Sequence, residues 1–211
     1  MNPRQVRRIF EQLRAANPSP KSELHYGSPF ELLVAVILSA QATDKGVNLA
    51  TPGLFRKAPT PQAMLQLGLA GLKRHIRTIG LYNAKARNIL ASCRILVERY
   101  GGEVPRTRDA LEALPGVGRK TANVVLNVAF GEHTLAVDTH VFRVANRTGL
   151  ARGATARAVE DGLLRVIPPE FMQHAHHWLI LHGRYVCKAR VPDCPHCSIA
   201  RWCEYENKTP P

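Results

Sequence analysis

The sequence predicts an all-α protein. Apolar residues recur at intervals of three and four along several segments, and no convincing run alternates apolar and polar residues as a β-strand would. Helix-start signals, in which Ser, Thr or Asp precedes a helical run, occur repeatedly. The connections are short and include no low-complexity stretch or long linker, so any division into domains must arise from packing.

The first two predicted helices are a surface helix and a buried one. The surface helix has a single apolar stripe, formed by Val6, Ile9, Phe10 and Leu13. The buried helix begins in Ser28-Pro29-Phe30-Glu31, which has the pattern of a capping box with proline at the first helical position, and continues to about Ala40. Its apolar run 32–38 predicts the central helix of the fold, and at seven residues it is far too short to cross a bilayer.

A longer helix follows in the middle of the chain. Its apolar positions step by three and four and stop at Gly101-Gly102, and they are Ala86, Ile89, Leu90, Cys93, Leu96, Val97 and Tyr100. Cys93 therefore lies on a core face, where we expect a small buried hydrophobe and not a reactive thiol. Shorter helices are predicted after Thr60-Pro61, Thr107, Lys120, Asp138 and Thr155, and from Glu170 to about Tyr185.

The charge balance indicates a polyanionic partner. The chain has 211 residues with 29 Lys and Arg against 16 Asp and Glu, which gives a net charge of +13 and a pI near 10.1. Nucleic acid is the leading candidate for a partner of a protein this basic. The N-terminus lacks a signal-type apolar region, so we expect a soluble, cytoplasmic (nucleoid-associated) protein.

The most informative segment is Leu114-Pro115-Gly116-Val117-Gly118-Arg119-Lys120-Thr121. Two glycines two residues apart permit a tight turn whose N–H groups face outward, and the following helix start adds partial positive charge, so the segment suits a phosphate. A Walker A loop needs a Gly-Lys pair, whereas Arg119 separates Gly118 from Lys120 here. We therefore predict a DNA-backbone contact made by Gly116, Val117, Gly118 and Arg119.

Lys120 and Asp138 are the candidate catalytic pair. The positive end of a helix and the neighbouring Arg119 disfavour a second cation, which favours the neutral amine that nucleophilic attack on a sugar carbon needs. Asp138 follows an apolar triplet and has the pattern of an N-cap. A capping carboxylate is held in place and can still orient a nucleophile or face a developing cation.

Other polar side chains near these segments stay outside the catalytic set. His140 and Arg143 follow Asp138 along its helix and could reach the DNA backbone. A histidine cluster, formed by His174, His176 and His177, has no carboxylate at ligand spacing, so we expect it to pack and not to bind metal.

Four of the five cysteines lie near the C-terminus in the spacing C-x6-C-x2-C-x5-C, formed by Cys187, Cys194, Cys197 and Cys203. Four thiolates are a complete ligand set, and an odd total of five does not fit a secreted disulfide framework. Structural zinc usually takes two close pairs, whereas only one pair is close here, so the spacing favours an iron-sulfur cluster over zinc.

These motifs together resemble the endonuclease III family, the helix-hairpin-helix DNA glycosylases and apurinic/apyrimidinic (AP) lyases of base excision repair. The resemblance extends over nearly the whole chain. The matching segments are Ser39-Ala40-Gln41-Ala42-Thr43-Asp44, Ile79-Gly80-Leu81-Tyr82-Asn83-Ala84-Lys85-Ala86, residues 114–122, Val137-Asp138-Thr139-His140-Val141, residues 179–185 and the four-cysteine ending.

The resemblance implies two helical domains with a DNA-binding cleft between them. Residues 22–131 would form a six-helix barrel with the helix-hairpin-helix, and residues 1–21 and 132–211 would form an iron-sulfur domain holding a [4Fe-4S] cluster on the four cysteines. The expected partner is duplex DNA that contains oxidised pyrimidines or abasic sites. The protein is expected to be a monomer and to have no membrane partner. Lys120 would attack C1′ and form a Schiff base with the help of Asp138, and β-elimination would nick the strand 3′ to the lesion.

The resemblance also implies which residues replace the extruded base. Gln41 would face the orphaned partner base, and Leu81 would wedge between base steps. Two alternatives stay open at this point. A monofunctional, mismatch-type glycosylase would lack the nucleophilic lysine, and a non-catalytic iron-sulfur DNA-binding protein would use the hairpin and the cluster for binding alone.

Overall fold

The structure is a computed structural model that describes residues 1–210. Every regular element in this range is helical, which confirms the predicted all-α class. The ten α-helices are α1 (Pro3–Ala16), α2 (Pro29–Ser39), α3 (Asp44–Lys57), α4 (Pro61–Ile76), α5 (Tyr82–Tyr100), α6 (Arg108–Glu112), α7 (Arg119–Phe130), α8 (Thr139–Thr148), α9 (Ala156–Val166) and α10 (Met172–Tyr185). Within the described range, no helix has the length and apolarity that a membrane span requires.

The chain divides into two compact units. One comprises residues 22–132 and contains α2 to α7, and the other comprises residues 1–21 and 133–211. The second unit contains α1 and α8 to α10, together with two 3-10 turns at Pro169–Phe171 and Ala200–Trp202. The assignment of these units as barrel and cluster domains stays a prediction.

Helix α2 is the centre of the unit 22–132. All of its residues from Phe30 to Leu38, apart from Glu31, are buried, and it packs against α3, α5 and α7. A helix that is apolar on every side is stable in water only when other helices surround it, as they do here. Cys93 of α5 is buried in the same unit, and burial raises the pKa of its thiol to about 12, so it is an inert core residue as predicted.

The start of α2 differs in one detail from the predicted capping box. The Ser28 side chain accepts a hydrogen bond from the backbone N–H of Glu31 at 3.2 Å, as the pattern requires. The Glu31 carboxylate, however, accepts from the N–H of Gly27 at 2.6 Å and not from Ser28. Half of the box is present, and the glutamate instead fixes the residue before the cap.

The unit of residues 1–21 and 133–211 has its own aromatic core. The rings of Phe10, Phe171 and Trp178 pack with centroids 5.6 to 6.3 Å apart, and the predicted stripe of α1 is buried against them. The Trp178 indole N–H donates to the carbonyl of Asn17, the residue at which α1 ends, at 2.8 Å. This bond satisfies the polar edge of a buried ring and ties α10 to α1.

Candidate active site and nucleic-acid interface

The hairpin turn between α6 and α7 is anchored by apolar side chains on both sides. Leu114 and Val117 are buried, and the N–H of Val117 donates to the carbonyl of Leu114 at 3.0 Å. Gly116 has φ = 82°, and a Cβ there would lie 3.0 Å from the Asn88 side chain of α5. Glycine is therefore required at this position both by the backbone conformation and by the close approach of α5.

The turn leads into a helix whose N-terminus is open. Gly118 is the N-cap of α7 and has no side chain to accept a backbone N–H, and the first turn of α7 contains no acidic residue. Gly116 and Gly118 are exposed, so the backbone at the turn faces outward. Backbone N–H groups at a helix start, carrying the positive end of the helix dipole, form a surface suited to a phosphate.

Lys120 lies in the first turn of α7, directly beside this surface. Its side chain is exposed, and among residues 1–210 its amine forms neither an ion pair nor a hydrogen bond. An amine without an intramolecular partner is available to a bound molecule.

Two further turns of the unit 22–132 have unusual backbones. Gln41 follows α2 with φ = 54°, and Leu81 precedes α5 with φ = 59°. They are the two non-glycine residues with positive φ in the described part of the chain, and both side chains are exposed, Leu81 by 62%. The turns are neighbours, since a Cβ on Gly80 would lie 3.8 Å from the carbonyl oxygen of Gln41. The structure therefore brings together the two residues predicted to replace an extruded base.

Asp138 belongs to the other unit and caps α8. Its Oδ1 accepts from the N–H of His140 at 2.9 Å and from that of Val141 at 2.8 Å. Both bonds use one carboxylate oxygen, which leaves Oδ2 outside the cap. The side chain is half-buried, so its orientation is fixed while one oxygen stays available.

Two arginines of α8 hold the loop that begins the cysteine segment. Arg143 donates from Nε to the carbonyl of Cys187 at 3.0 Å and from Nη2 to that of Gly183 at 2.7 Å, and it also contacts His140 Nδ1 at 3.2 Å. Arg147 donates to the carbonyls of Lys188 and Ala189 at 2.7 and 2.8 Å. The sequence predicts His140 and Arg143 as possible DNA contacts. The described contacts of Arg143, however, are all with residues of its own unit, which comprises residues 1–21 and 133–211.

The four C-terminal cysteines line one pocket. None of them forms a disulfide. Burial, together with the neighbouring cysteines, raises the pKa values of the Cys197 and Cys203 thiols. Side-chain nitrogens approach two of the sulfurs: Arg147 Nη1 donates to Cys187 Sγ at 3.7 Å, and His182 Nε2 lies 3.6 Å from Cys197 Sγ.

Four thiols that line one pocket form a donor set that suits a thiolate-bound metal centre. A metal core would keep four thiols deprotonated in a pocket that otherwise disfavours their charge. Among residues 1–210, no three His, Cys, Asp or Glu side chains are placed to hold one metal ion.

The histidine cluster of α10 packs as predicted. His176 Nδ1 forms a hydrogen bond with the carbonyl of Ala136 at 2.9 Å. The His176 and His177 rings make an edge-on contact with their centroids 5.2 Å apart. Burial lowers the pKa of His177 to about 4, so its ring is neutral at physiological pH. His176 and His177 are buried, and His174 is half-buried with its ring edge-on to that of Trp178.

Comparison with known proteins identifies the family. Residues 34–169 match the family model of the HhH-GPD superfamily of base excision DNA repair proteins. The chain is 64% identical over 200 residues to endonuclease III of Haemophilus influenzae, with 95% of each chain covered, and 60% identical over 208 residues to that of Escherichia coli, with 99% covered. The chain belongs to the endonuclease III family.

Solved structures of this family agree with the fold. A trapped endonuclease III–DNA covalent intermediate, an estranged-adenine complex, superposes with a TM-score of 0.90 at 47% identity. The match covers 97% of this chain and 96% of that one.

Two residues that hold the Gln41 and Leu81 turns and the cysteine loop had no role predicted from the sequence. Lys85 is buried between the turns of Gln41 and Leu81, although a lysine in a basic protein is usually exposed. The sequence feature that could have indicated its burial is its position one residue before Ala86, at the edge of the apolar face of α5. Arg147 lies one helical turn after Arg143, and only the folded loop reveals that it binds carbonyls.

Proposed function

We propose that this chain removes oxidised pyrimidines from duplex DNA with Lys120 as the nucleophile and Asp138 as the assisting carboxylate, and then nicks the strand at the abasic site. Membership of the endonuclease III family makes it a bifunctional DNA glycosylase and AP lyase of base excision repair. The observation that supports the residue assignment best is the unpartnered, exposed amine of Lys120 beside an open helix start.

The chemistry follows from the two side chains. The neutral Lys120 amine forms a bond to C1′ of the deoxyribose, the glycosidic bond breaks, and its electron pair leaves with the base. The attached amine loses a proton, its lone pair then opens the C1′–O4′ bond, and O4′ takes up a proton, which gives a protonated imine. Removal of a proton from C2′ then breaks the C3′–O3′ bond, which expels the 3′ phosphate and nicks the strand. Asp138 would stabilise the positive charge that develops on the sugar, using the oxygen that its cap leaves unused.

The hairpin and the uncapped start of α7 would hold the DNA backbone. Gly116, Val117, Gly118 and Arg119 form a turn whose backbone faces outward, and such contacts position a protein without reading base identity. A location on the nucleoid fits an enzyme whose substrate is duplex DNA.

Gln41 and Leu81 would stabilise the extruded state. The target nucleotide must leave the stack before its sugar carbon can be reached, and unstacking takes a few kcal/mol, less at a damaged base. An exposed leucine can wedge between base steps, and an exposed glutamine can offer both a donor and an acceptor to the orphaned base. The left-handed turns hold both side chains outward.

The four cysteines would hold a [4Fe-4S] cluster. When bound, the cluster supplies a rigid closure for a segment that has little regular structure of its own. Arg147 and His182 would donate weak N–H···S bonds to its thiolates. Purified protein should be brown and contain iron and inorganic sulfide in equal amounts, and colourless protein with stoichiometric zinc would overturn this assignment.

Borohydride trapping tests the catalytic assignment. The wild-type chain should be trapped covalently on abasic-site DNA, because the reagent reduces the imine, and Lys120→Gln should not be trapped. Lys45→Gln is the matched control, since Lys45 is exposed at the same position of the first turn of α3 and should leave trapping unchanged. Equal trapping of Lys120→Gln, with duplex binding intact, would remove Lys120 from its role.

A further inference from the structure

The left-handed turns at Gln41 and Leu81 are held together by one buried lysine. Lys85 is 6% exposed, and its Nζ donates to the carbonyl of Leu38 at 2.8 Å and to that of Ala40 at 2.6 Å. These carbonyls lie at the end of α2, where backbone oxygens have no partner within the helix and the helix dipole favours a cation. The Lys85 side chain therefore fixes the residue directly before Gln41.

The backbone of Lys85 fixes the other turn. Its N–H donates to the carbonyl of Leu81 at 3.1 Å, and the N–H of Ala84 donates to the same oxygen at 3.0 Å. One residue thus binds the Leu81 turn through its main chain and the Gln41 turn through its side chain. Non-glycine residues persist in the left-handed conformation only where surrounding contacts hold them there.

The burial of this amine is unfavourable by itself. Burial lowers the pKa of Lys85, and among the described residues no carboxylate pairs with it. A buried cation whose partners are carbonyl dipoles alone contributes less to stability than a well-packed apolar side chain would. The position therefore calls for an explanation beyond packing.

The same face of α5 also supports the hairpin. Asn88 and Ser92 follow Lys85 at helical intervals of three and four residues, and Asn88 lies against Gly116. The Ser92 hydroxyl donates to the carbonyl of Pro115 at 2.9 Å. One rigid helix face consequently sets the distance between the hairpin and the two left-handed turns.

We propose that Lys85 is a positioning residue for base extrusion, which locks the Gln41 and Leu81 turns together so that both side chains enter the duplex as one unit. The proposal rests on the role given above to Gln41 and Leu81. Lys85 touches no reacting atom, so its loss should impair the extruded state and leave the chemistry at an already accessible sugar unchanged.

Lys85→Met tests this proposal because methionine fills a similar volume without donors or charge. Single-turnover base excision from duplex DNA should fall at least about tenfold, since the left-handed turns lose their common anchor. The fluorescence of 2-aminopurine placed beside the lesion, which reports unstacking, should lose most of its change on binding. Borohydride trapping on a single-stranded abasic oligonucleotide, which needs no extrusion, should stay within about twofold of wild type.

Thr51→Val is the matched control. Thr51 is 1% exposed in the same unit, and its hydroxyl donates to the carbonyl of Val47 at 3.0 Å, so the variant also removes a buried hydrogen bond. It should leave both assays unchanged. Should Lys85→Met fail to fold by circular dichroism, Lys85→Gln, which reaches at most one of the two carbonyls, is measured in the same two assays with the same expected split.

Two results overturn the proposal. One is duplex excision and a 2-aminopurine signal equal to wild type, and the other is an equal loss on duplex and single-stranded substrates. Failure of wild-type trapping would instead contradict the proposed function itself, so the two failures are distinguishable.

Discussion

Helices α4 and α7 lie in the same unit but begin in different ways. At the start of α4 the Thr60 hydroxyl accepts from the N–H of Ala63 at 3.2 Å, and α1, α2, α3, α6, α8 and α9 have side-chain caps of the same kind. The N-cap of α7 is Gly118, which has no side chain that could accept a hydrogen bond. The N-cap of α5 is Leu81, which also makes no side-chain cap. In the unit 22–132, the uncapped starts are those assigned here to DNA.

Under the proposed function, the start of α7 is left without a cap because it serves the DNA backbone. A side-chain cap contributes about 0.5 to 2 kcal/mol to stability, so its omission at α5 and α7 needs a compensating reason. The third uncapped helix, α10, follows directly from the 3-10 turn Pro169–Phe171 and is a continuation of an existing helical segment. At the start of α5, the N–H of Tyr82 donates to the carbonyl of Ile79, and those of Ala84 and Lys85 donate to that of Leu81. The uncapped start that suits a phosphate is therefore that of α7.

The largest expected effect separates capping from charge at α8. Asp138→Asn keeps an oxygen that can cap α8 but removes the negative charge, so the melting temperature should stay near that of wild type while single-turnover base excision falls about 100-fold or more. Asp138→Ala should lose similar activity and, in addition, about 1 kcal/mol of stability. Full activity of Asp138→Asn would show that Asp138 serves only as a cap.

Next in size is the hairpin glycine. Gly116→Ala places a Cβ at φ = 82° and against Asn88, so it should lower the free energy of unfolding by about 2 kcal/mol and duplex affinity by about tenfold. Gly101→Ala is the control, because Gly101 has φ = 60° but nothing within 4 Å of its Cβ and lies outside the hairpin. It should lose about 1 kcal/mol of stability with affinity retained, as measured by denaturation and titration of labelled duplex. Equal affinity loss in both variants would contradict a specific role of the hairpin.

Gly118→Asp should change stability and binding in opposite directions. Gly118 has extended backbone angles typical of an N-cap and open space around its Cβ, so an aspartate there should stabilise α7 by about 0.5 to 1 kcal/mol. The same carboxylate would occupy the N–H groups and repel phosphate, so duplex affinity should fall about tenfold. Gly118→Ser, a cap without charge, should show a smaller loss of affinity. Unchanged affinity in Gly118→Asp would break the link between the open start and DNA.

The smallest effect is expected at a capped start. Thr60→Ala removes the cap of α4 and should lower the free energy of unfolding by about 1 kcal/mol, measured by urea denaturation. Duplex affinity should be unchanged, because this helix start takes no part in the proposed interface. A fall in affinity as large as that of Gly118→Asp would remove the distinction between the two kinds of start.

Much of the fold follows from local sequence patterns, and the exceptions have physical causes. The stripe of α1 and the apolar run of α2 predicted one amphipathic and one buried helix, and both are present. Helix α3 was missed, because Gly46, Pro52 and Gly53 lower its helix propensity while packing on α2 and α4 keeps it helical. A break at Gly68 within α4, where φ is 69°, was not expected from sequence either.

Some residues of the candidate site could likewise be identified from the sequence, and others could not. The hairpin, Lys120 and the four cysteines are contiguous or regularly spaced, so the sequence identified them as candidates, and their roles stay predictions. The roles of Lys85 and Arg147 depend on carbonyls 45 and 41 residues away in the chain, respectively, and no local pattern encodes such contacts. Long-range hydrogen bonds to the main chain are visible only after the helices have packed.

The glycine start of α7 has a consequence for how damage is found. Under the proposed function, main-chain amides at this start would meet the same phosphate group at every nucleotide, so the contact would not depend on base sequence and would permit sliding along undamaged DNA. Discrimination between damaged and undamaged DNA would then arise at a later step, because a damaged base pair opens more readily than an intact one. An enzyme built in this way would detect damage by how easily a base pair opens, and its rate of search would depend on how long it stays bound at each undamaged site.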